Sequence, residues 1–349
     1  MKKFGKIVMA AAVMAQLLGS TNVLAAPAPA EKMATKNTAA TQSAPANPAQ
    51  PQGNFIAFGQ GGPARGVIDK SGDKKLQALL KETVPQFTQH TYHDPVSGKT
   101  LAYNLFLPQD YRSWMELPLV VFIADASTVG TDVKRPLTQG YSPAVWANKA
   151  AQTQHPCLIL VPQYQGVVID DHDGFKVTED VEATARLIKA VAKKYGASER
   201  KLYGTGQSMG CMITMYLAAK HPDLYAAELL VSGQWDVKDL KPLATQKFFY
   251  IAAGGDPKAS QGQKDLLPVL QAQGVKVSTA TWDARKSDAA LSRLARQEIA
   301  RGNDINFATF TTGSVLPAGV KDNNEHMYSF DHAYKIDAVR EWLFAQYKK

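Results

Sequence analysis

Cysteine is almost missing from this chain: Cys157 and Cys211 are the only two in 349 residues. That excludes a disulfide-stapled fold and leaves a packed core as the source of stability. Both cysteines fall in apolar stretches, which favours buried thiols over a bridge. Long hydrophobic runs are also lacking. The longest, within residues 7–18, is too short for a permanent membrane-spanning helix. With Lys2, Lys3 and Lys6 before it and Val23-Leu24-Ala25 after it, residues 1–25 read as a secretory signal peptide cleaved after Ala25 or Ala26. No cysteine stands near the cleavage point, which argues against a lipid anchor, and the expected location is secreted or periplasmic. Basic runs interleaved with aromatics are missing too. The net charge of +8 comes from dispersed lysines and arginines, so nucleic-acid binding is not indicated. No internal repeat occurs.

Residues 26–53 have little charge and almost no large apolar side chains, with only Glu31, Lys32 and Lys36 ionisable and Met33 the one large apolar residue. Such a stretch cannot bury enough surface to offset its ordering entropy, and it reads as a flexible Ala/Pro/Thr/Gln tether. Gly59-Gln60-Gly61-Gly62 with Gly66 lacks the flanking strand and helix of a phosphate loop and reads as a lead-in. The roughly 290 residues from 54 to 349 suit one large α/β domain, and an apolar fraction of 45% supplies a sizeable core.

Residues 89–92 and 100–107, joined by Asp94-Pro95 and Ser97-Gly98, read as an opening antiparallel hairpin. Residues 117–123 and 157–161 are continuous apolar runs, the pattern of strands buried on both faces. A helix follows, with Thr178 as cap, Glu179 and Asp180 at its positive end and Gly196 closing it. Further strands are expected at 226–231, 247–252 and 275–282, helices at about 263–273 and 333–346. Strands alternating with helices imply a mostly parallel sheet with helices on both faces.

The most informative stretch is Gly206-Gln207-Ser208-Met209-Gly210. It is a G-x-S-x-G pattern set between an apolar strand and a helix rich in Met, Ile, Leu and Ala. A sharp strand-to-helix turn needs small residues two before and two after the serine, and it lifts Ser208 Oγ clear of the sheet. A serine hydroxyl is a poor nucleophile near neutral pH, so a histidine must take its proton and a carboxylate must orient the histidine. Asp256, just past the strand 247–252, is the expected acid, with Asp236 as the alternative; Asp256 could also simply open a turn with Pro257. His326, in a polar loop, is the expected base. His332, at the start of the final helix and on its apolar face, is the alternative. The oxyanion needs two donors: the Met209 N–H, and the Ala124 or Asp125 N–H from the loop after the strand 117–123. Tyr164, Trp235 and Tyr328 stand near these loops as substrate-lining residues or as ordinary partly buried aromatics. The acidic group Asp170-Asp171-His172-Asp173 lacks calcium-loop spacing and reads as a solvated rim rather than a metal site.

These residues resemble those of secreted α/β-hydrolases of the esterase and predicted-peptidase kind, related to polyhydroxybutyrate depolymerases and feruloyl esterases. The resemblance is carried by residues 118–123 with their following loop, Tyr203 to Gly210, Ala252 to Asp256, and His326 to Tyr334 leading into Glu341-Trp342-Leu343-Phe344. It implies an α/β-hydrolase fold, Ser208 as nucleophile, Asp256 as acid and His326 as base, and an ester substrate, small or polymer-linked, with no cofactor. Two departures stand out. Ala124-Asp125 replaces the usual His-Gly of the oxyanion loop. Residues 285–319 read as an insertion, either a cap over the site or a decoration on the sheet edge. A peptidase of the same fold and a catalytically silent binding protein are the rival readings. Acyl group, alcohol and oligomeric state are not legible in the sequence.

Overall fold

The computed structural model describes residues 68–320 and 323–348. The expected signal peptide 1–25, the tether 26–53 and the glycine-rich lead-in at 59–66 lie outside the described residues. The strands are β1 (Thr88–His93), β2 (Thr100–Phe106), β3 (Leu119–Ile123), β4 (Leu158–Gln163), β5 (Ile169–Asp170), β6 (Lys176–Val177), β7 (Leu202–Gln207), β8 (Ala227–Val231), β9 (Phe248–Ala253), β10 (Val277–Trp282) and β11 (Ile305–Phe310). The helices are α1 (Lys74–Thr83), α2 (Ala144–Ala147), α3 (Lys149–Gln154), α4 (Glu179–Tyr195), α5 (Met209–Lys220), α6 (Pro257–Gln271), α7 (Asp288–Ile299), α8 (Glu325–Tyr334) and α9 (Asp337–Phe344). No described helix is long and apolar enough to cross a membrane.

Nine strands form one sheet in the order β1-β2-β4-β3-β7-β8-β9-β11-β10. β1, β2 and β4 pair antiparallel, and every pair from β4 onward is parallel. The apolar runs of β3 and β4 are buried along their whole length, because helices cover both sheet faces. Strand alternation splits the core. Leu119, Val121 and Ile123 pack with α4, α5 and α6, while Val120 and Phe122 pack with α1, α2, α7, α8 and α9. α5 is buried almost all round, as expected of a helix without a polar face. α4 shows one buried stripe, three acids in its first turn and Gly196 at φ +61° as its stop. Thr178 does not cap it through its side chain; the hydroxyl donates to Asp180 instead.

The opening hairpin is anchored by one buried carboxylate. Asp94 accepts the Ser97 N–H at its turn and two hydrogen bonds from the Arg186 guanidinium on α4, at 2.7 and 2.8 Å. Hydrogen bonds from Arg186 hold the Asp94 carboxyl well below the usual carboxylate range.

Three expectations need correction. Residues 285–319 are not a cap: α7 packs beside the sheet and 305–310 form β11, which sits inside the sheet between β9 and β10. An apolar run of six residues reads equally as a lid segment or a buried strand, and pairing decided it. The final helix 333–346 is in fact two helices, α8 and α9, broken at Lys335-Ile336. α6 begins at Pro257, six residues earlier than expected, with Asp256 as its cap. Proline at the first helical position suits such a start.

Candidate active site

The strand register brings several loop exits to one edge. Ile123 pairs with Gly206, Gln207 with Val231, Val231 with Ile251, and Ala253 with Phe310. β4 and β7 flank β3 on opposite sides, so the chain reverses its direction of travel across the sheet there. The crevice outside the carboxyl ends of such strands is where open α/β sheets bind ligands.

Ser208 stands at that crevice, between β7 and α5, with φ +52° and ψ −118°. A non-glycine residue held there costs about 1–3 kcal/mol and persists only because its surroundings fix it. The two flanking glycines are explained by close approach. A Cβ at 206 would overlap the Gly210 carbonyl, and a Cβ at 210 would overlap the Ile123 carbonyl. The turn therefore presses α5 directly onto the end of β3, and its first amides, Met209 foremost, face the crevice as a positive helix end.

Asp256 and His326 come to the same place from the other half of the sheet. His326 Nε2 lies 2.8 Å from Ser208 Oγ, and His326 Nδ1 lies 2.5 Å from Asp256 Oδ2. The Asp256 side chain is fully buried, whereas that of His326 keeps 12% exposure. The carboxylate thus meets the imidazole away from water, and the hydroxyl end stays reachable. His326 is not in a loop: it occupies the first turn of α8. Its ring stands edge-on to Phe330 one turn later, at 5.1 Å, and its carbonyl accepts the Ser329 hydroxyl at 2.7 Å. Ser329 also bonds Ser232 at the end of β8.

The loop after β3 is organised by side-chain contacts that the sequence did not announce. Asp125, which stands where His-Gly was expected, buries its carboxylate and accepts the Ser127 N–H at 2.8 Å and Gln207 Nε2 at 2.9 Å. Gln207 Nε2 also donates to Gln139 Oε1, and Gln139 Nε2 to the Ser127 hydroxyl. The residue before the serine is thereby tied to the loop that faces it. A glutamine ending an otherwise apolar strand was the available signal.

The remaining expectations divide. Tyr164 does not line the crevice: it is buried in the core on the α4 side, and its hydroxyl bonds Thr184 at 2.8 Å. It follows β4 on the face that α4 covers. Trp235 is also largely buried, donating to Asp239 and packing edge-on under the exposed Phe175 at 5.0 Å. Phe175 and Trp235 border a cavity of about 330 Å³ with Gln234, Pro257 and Lys258, beside the Asp256 turn. Tyr328 is half-buried against the core on the α8 side. Asp236 caps its own turn through the Lys238 N–H, 3.1 Å away. His332 packs against Phe310, and burial, followed by the Lys335 charge, pushes its pKa below 6.5.

Cys157 and Cys211 are free and buried, and burial pushes the Cys157 thiol up to about 12. Neither is poised as a thiolate. Asp170, Asp171 and His172 bring ligating atoms within 4.8 Å of one another. Lys258 Nζ lies 3.0 Å from both Asp171 oxygens, so the chain itself supplies a cation there.

No protein-family model matches the chain. Curated relatives match parts of it. A probable acetylxylan esterase A of Aspergillus clavatus is 31% identical over 86 residues, 23% of this chain and 28% of that protein. Acetylxylan esterase A of Aspergillus ficuum is 29% identical over 117 residues, covering 31% and 39%. Feruloyl esterase B of Talaromyces stipitatus is 39% identical over 54 residues, covering 16% and 15%. The chain thus spans well under half the length of these relatives. Among solved structures, a thermostable esterase superposes with a TM-score of 0.61 at 23% identity, over 76% of this chain and 64% of that one. Its mostly parallel sheet, antiparallel opening hairpin and strand-to-helix serine turn, together with that superposition, make this protein one of the α/β-hydrolase fold.

Proposed function

We propose that this protein hydrolyses carboxylic esters through an acyl-enzyme on Ser208. The observation that carries the reading is the unbroken hydrogen-bond series from Asp256 through His326 to Ser208. In the first half-reaction His326 Nε2 takes the Ser208 proton as Oγ attacks the ester carbonyl, then returns it to the departing alkoxide. In the second half-reaction the same nitrogen activates water against the acyl-enzyme. Asp256 keeps Nδ1 protonated and stabilises the imidazolium that forms in each half. The developing oxyanion faces the Met209 N–H at the helix end and the Ala124 or Asp125 N–H of the opposite loop. Nucleophile, base and acid all come from the chain, so the scheme calls on no metal or organic cofactor.

The names of the partial relatives point toward esters on plant polysaccharide, with an acetyl or a feruloyl group as the acyl part. Export on the leader at residues 1–25 belongs to the same reading, since polymeric substrates lie outside the cell.

A panel of p-nitrophenyl acetate, p-nitrophenyl butyrate, methyl ferulate and peptide anilides tests it, with Ser208→Ala as control. Ester turnover with fluorophosphonate labelling at Ser208 is expected. Folded protein that neither labels nor turns over any ester would overturn it, and anilide cleavage without ester cleavage would make it a peptidase.

A further inference from the structure

Asp256 and His326 leave the sheet on separate loops, and among the described residues no backbone hydrogen bond joins those loops at the level of the imidazole. The last shared hydrogen bond runs from Gly254 N–H to the Phe310 carbonyl, 2.7 Å. Beyond it one chain turns at Gly255-Asp256 into α6, while the other continues through residues 311–324 to α8.

A buried side chain spans the divergence. Glu325, 5% exposed and immediately before His326, accepts the Gly255 N–H at Oε2, 3.2 Å, and the Gly313 N–H at Oε1, 2.8 Å. The carboxylate fills the space that a side chain at 255 would need; a Cβ there would overlap both oxygens. Gly255 and Glu325 are therefore steric partners, one neighbouring the acid and the other neighbouring the base. Charge-assisted bonds to two backbone amides are strong for their size and leave little play. The Ser329–Ser232 pair secures the other side of the same helical turn.

We infer that Glu325 is a positioning residue for the reaction: its carboxylate clamps the Asp256 turn to the His326 helix and sets the imidazole–carboxylate separation. The inference rests on the reading of Asp256 and His326 as acid and base. A misplacement of about 1 Å at such a pair costs on the order of 10²-fold in rate. Glutamine at 325 keeps one acceptor but turns an N–H₂ toward a backbone N–H, which breaks one arm of the clamp.

The test is Glu325→Gln in the full chain, read in two ways. With p-nitrophenyl acetate, kcat should fall by about 10–100-fold while KM stays within about threefold. In the proton spectrum of ¹⁵N-histidine-labelled protein, the far-downfield Nδ1–H signal of His326, identified by its loss in Asp256→Asn, should broaden or vanish. Gly255→Ala displaces the carboxylate from the opposite side and should give the same two changes; it carries the test if Glu325→Gln does not fold. A folded Glu325→Gln with wild-type kcat and an unchanged downfield signal would overturn the inference, as would a wild-type protein without that signal. A wild-type protein that turns over no ester but loses the signal in Glu325→Gln would sink the esterase reading and leave the clamp standing.

Discussion

The two rims of the crevice are built on different plans. On the rim proposed to carry the nucleophile, here the nucleophile rim, Ser208, the α5 amides and the close-packed glycines all come from one unbroken stretch, and the facing loop is pinned to it by Gln207 and Asp125. On the rim proposed to carry acid and base, here the acid–base rim, Asp256 and His326 are 70 residues apart. They meet where β11 slots between β9 and β10 and Glu325 bridges the loops beyond. The first rim is fixed by local steric necessity: the backbone cannot make that turn with larger residues at 206 or 210. The second is fixed by long-range pairing and a few polar contacts, each of which could be lost without disturbing the sheet. The difference predicts different failures, loss of fold where the close-packed glycines are enlarged and loss of alignment where a polar contact is removed.

The largest effect should come from Ser208→Ala or His326→Ala, each lowering kcat by about 10⁴–10⁶-fold, with the double variant hardly worse than either. Equal losses measured on one ester would mark the two rims as a single catalytic unit; additive losses would break that unity. Next comes Asp256→Asn, expected to cost about 10⁴-fold in kcat with the fold intact, whereas Asp236→Asn should stay within a few-fold. Circular dichroism alongside the kinetics separates alignment from unfolding. Third, Gln207→Ala should lower kcat by about 10–100-fold by freeing the oxyanion loop. Gly210→Ala, by contrast, should cost roughly 3 kcal/mol or more of stability, since the added methyl meets backbone. Urea midpoints of the two variants test whether the nucleophile rim is the sterically governed one.

The smallest effect concerns pH. His332 on α8 has its pKa lowered by burial, so folding favours its neutral form. Its contribution to stability is complete above the unfolded value of 6.5 and is lost as pH falls below that value through the folded pKa. His332→Phe should flatten the thermal midpoint between pH 7 and 5 and leave kcat near neutral pH almost unchanged. A large loss of turnover instead would make residue 332 part of the acid–base rim.

Most of the nucleophile rim was legible from the sequence because its constraints are local. Glycines two before and two after a serine, between an apolar strand and an apolar helix, leave little else that the backbone can do. Asp256 was legible for a similar reason, as a carboxylate just past a buried strand and before a proline. Less could be read of the surroundings of His326. Asn323 and Asn324 suggested a loop, yet the helix begins directly after them, and the break at Lys335-Ile336 has no proline or glycine to announce it. Tyr164 looked like a pocket residue by its place after a strand, but strand alternation turned it under α4.

What the sequence determined by itself was the alternation of buried strands and helices, the strained serine turn at Ser208, and a short set of candidates, Asp256 or Asp236 and His326 or His332, to stand beside it. These follow from side-chain size, periodicity and backbone sterics within a dozen residues. Only the tertiary structure decided that 305–310 is a strand within the sheet rather than a lid, that Gln207 ties the strand end to Asp125, and that Glu325 spans two loops. Each of those depends on which distant hydrogen-bonding group lies within reach, a quantity that no local pattern encodes.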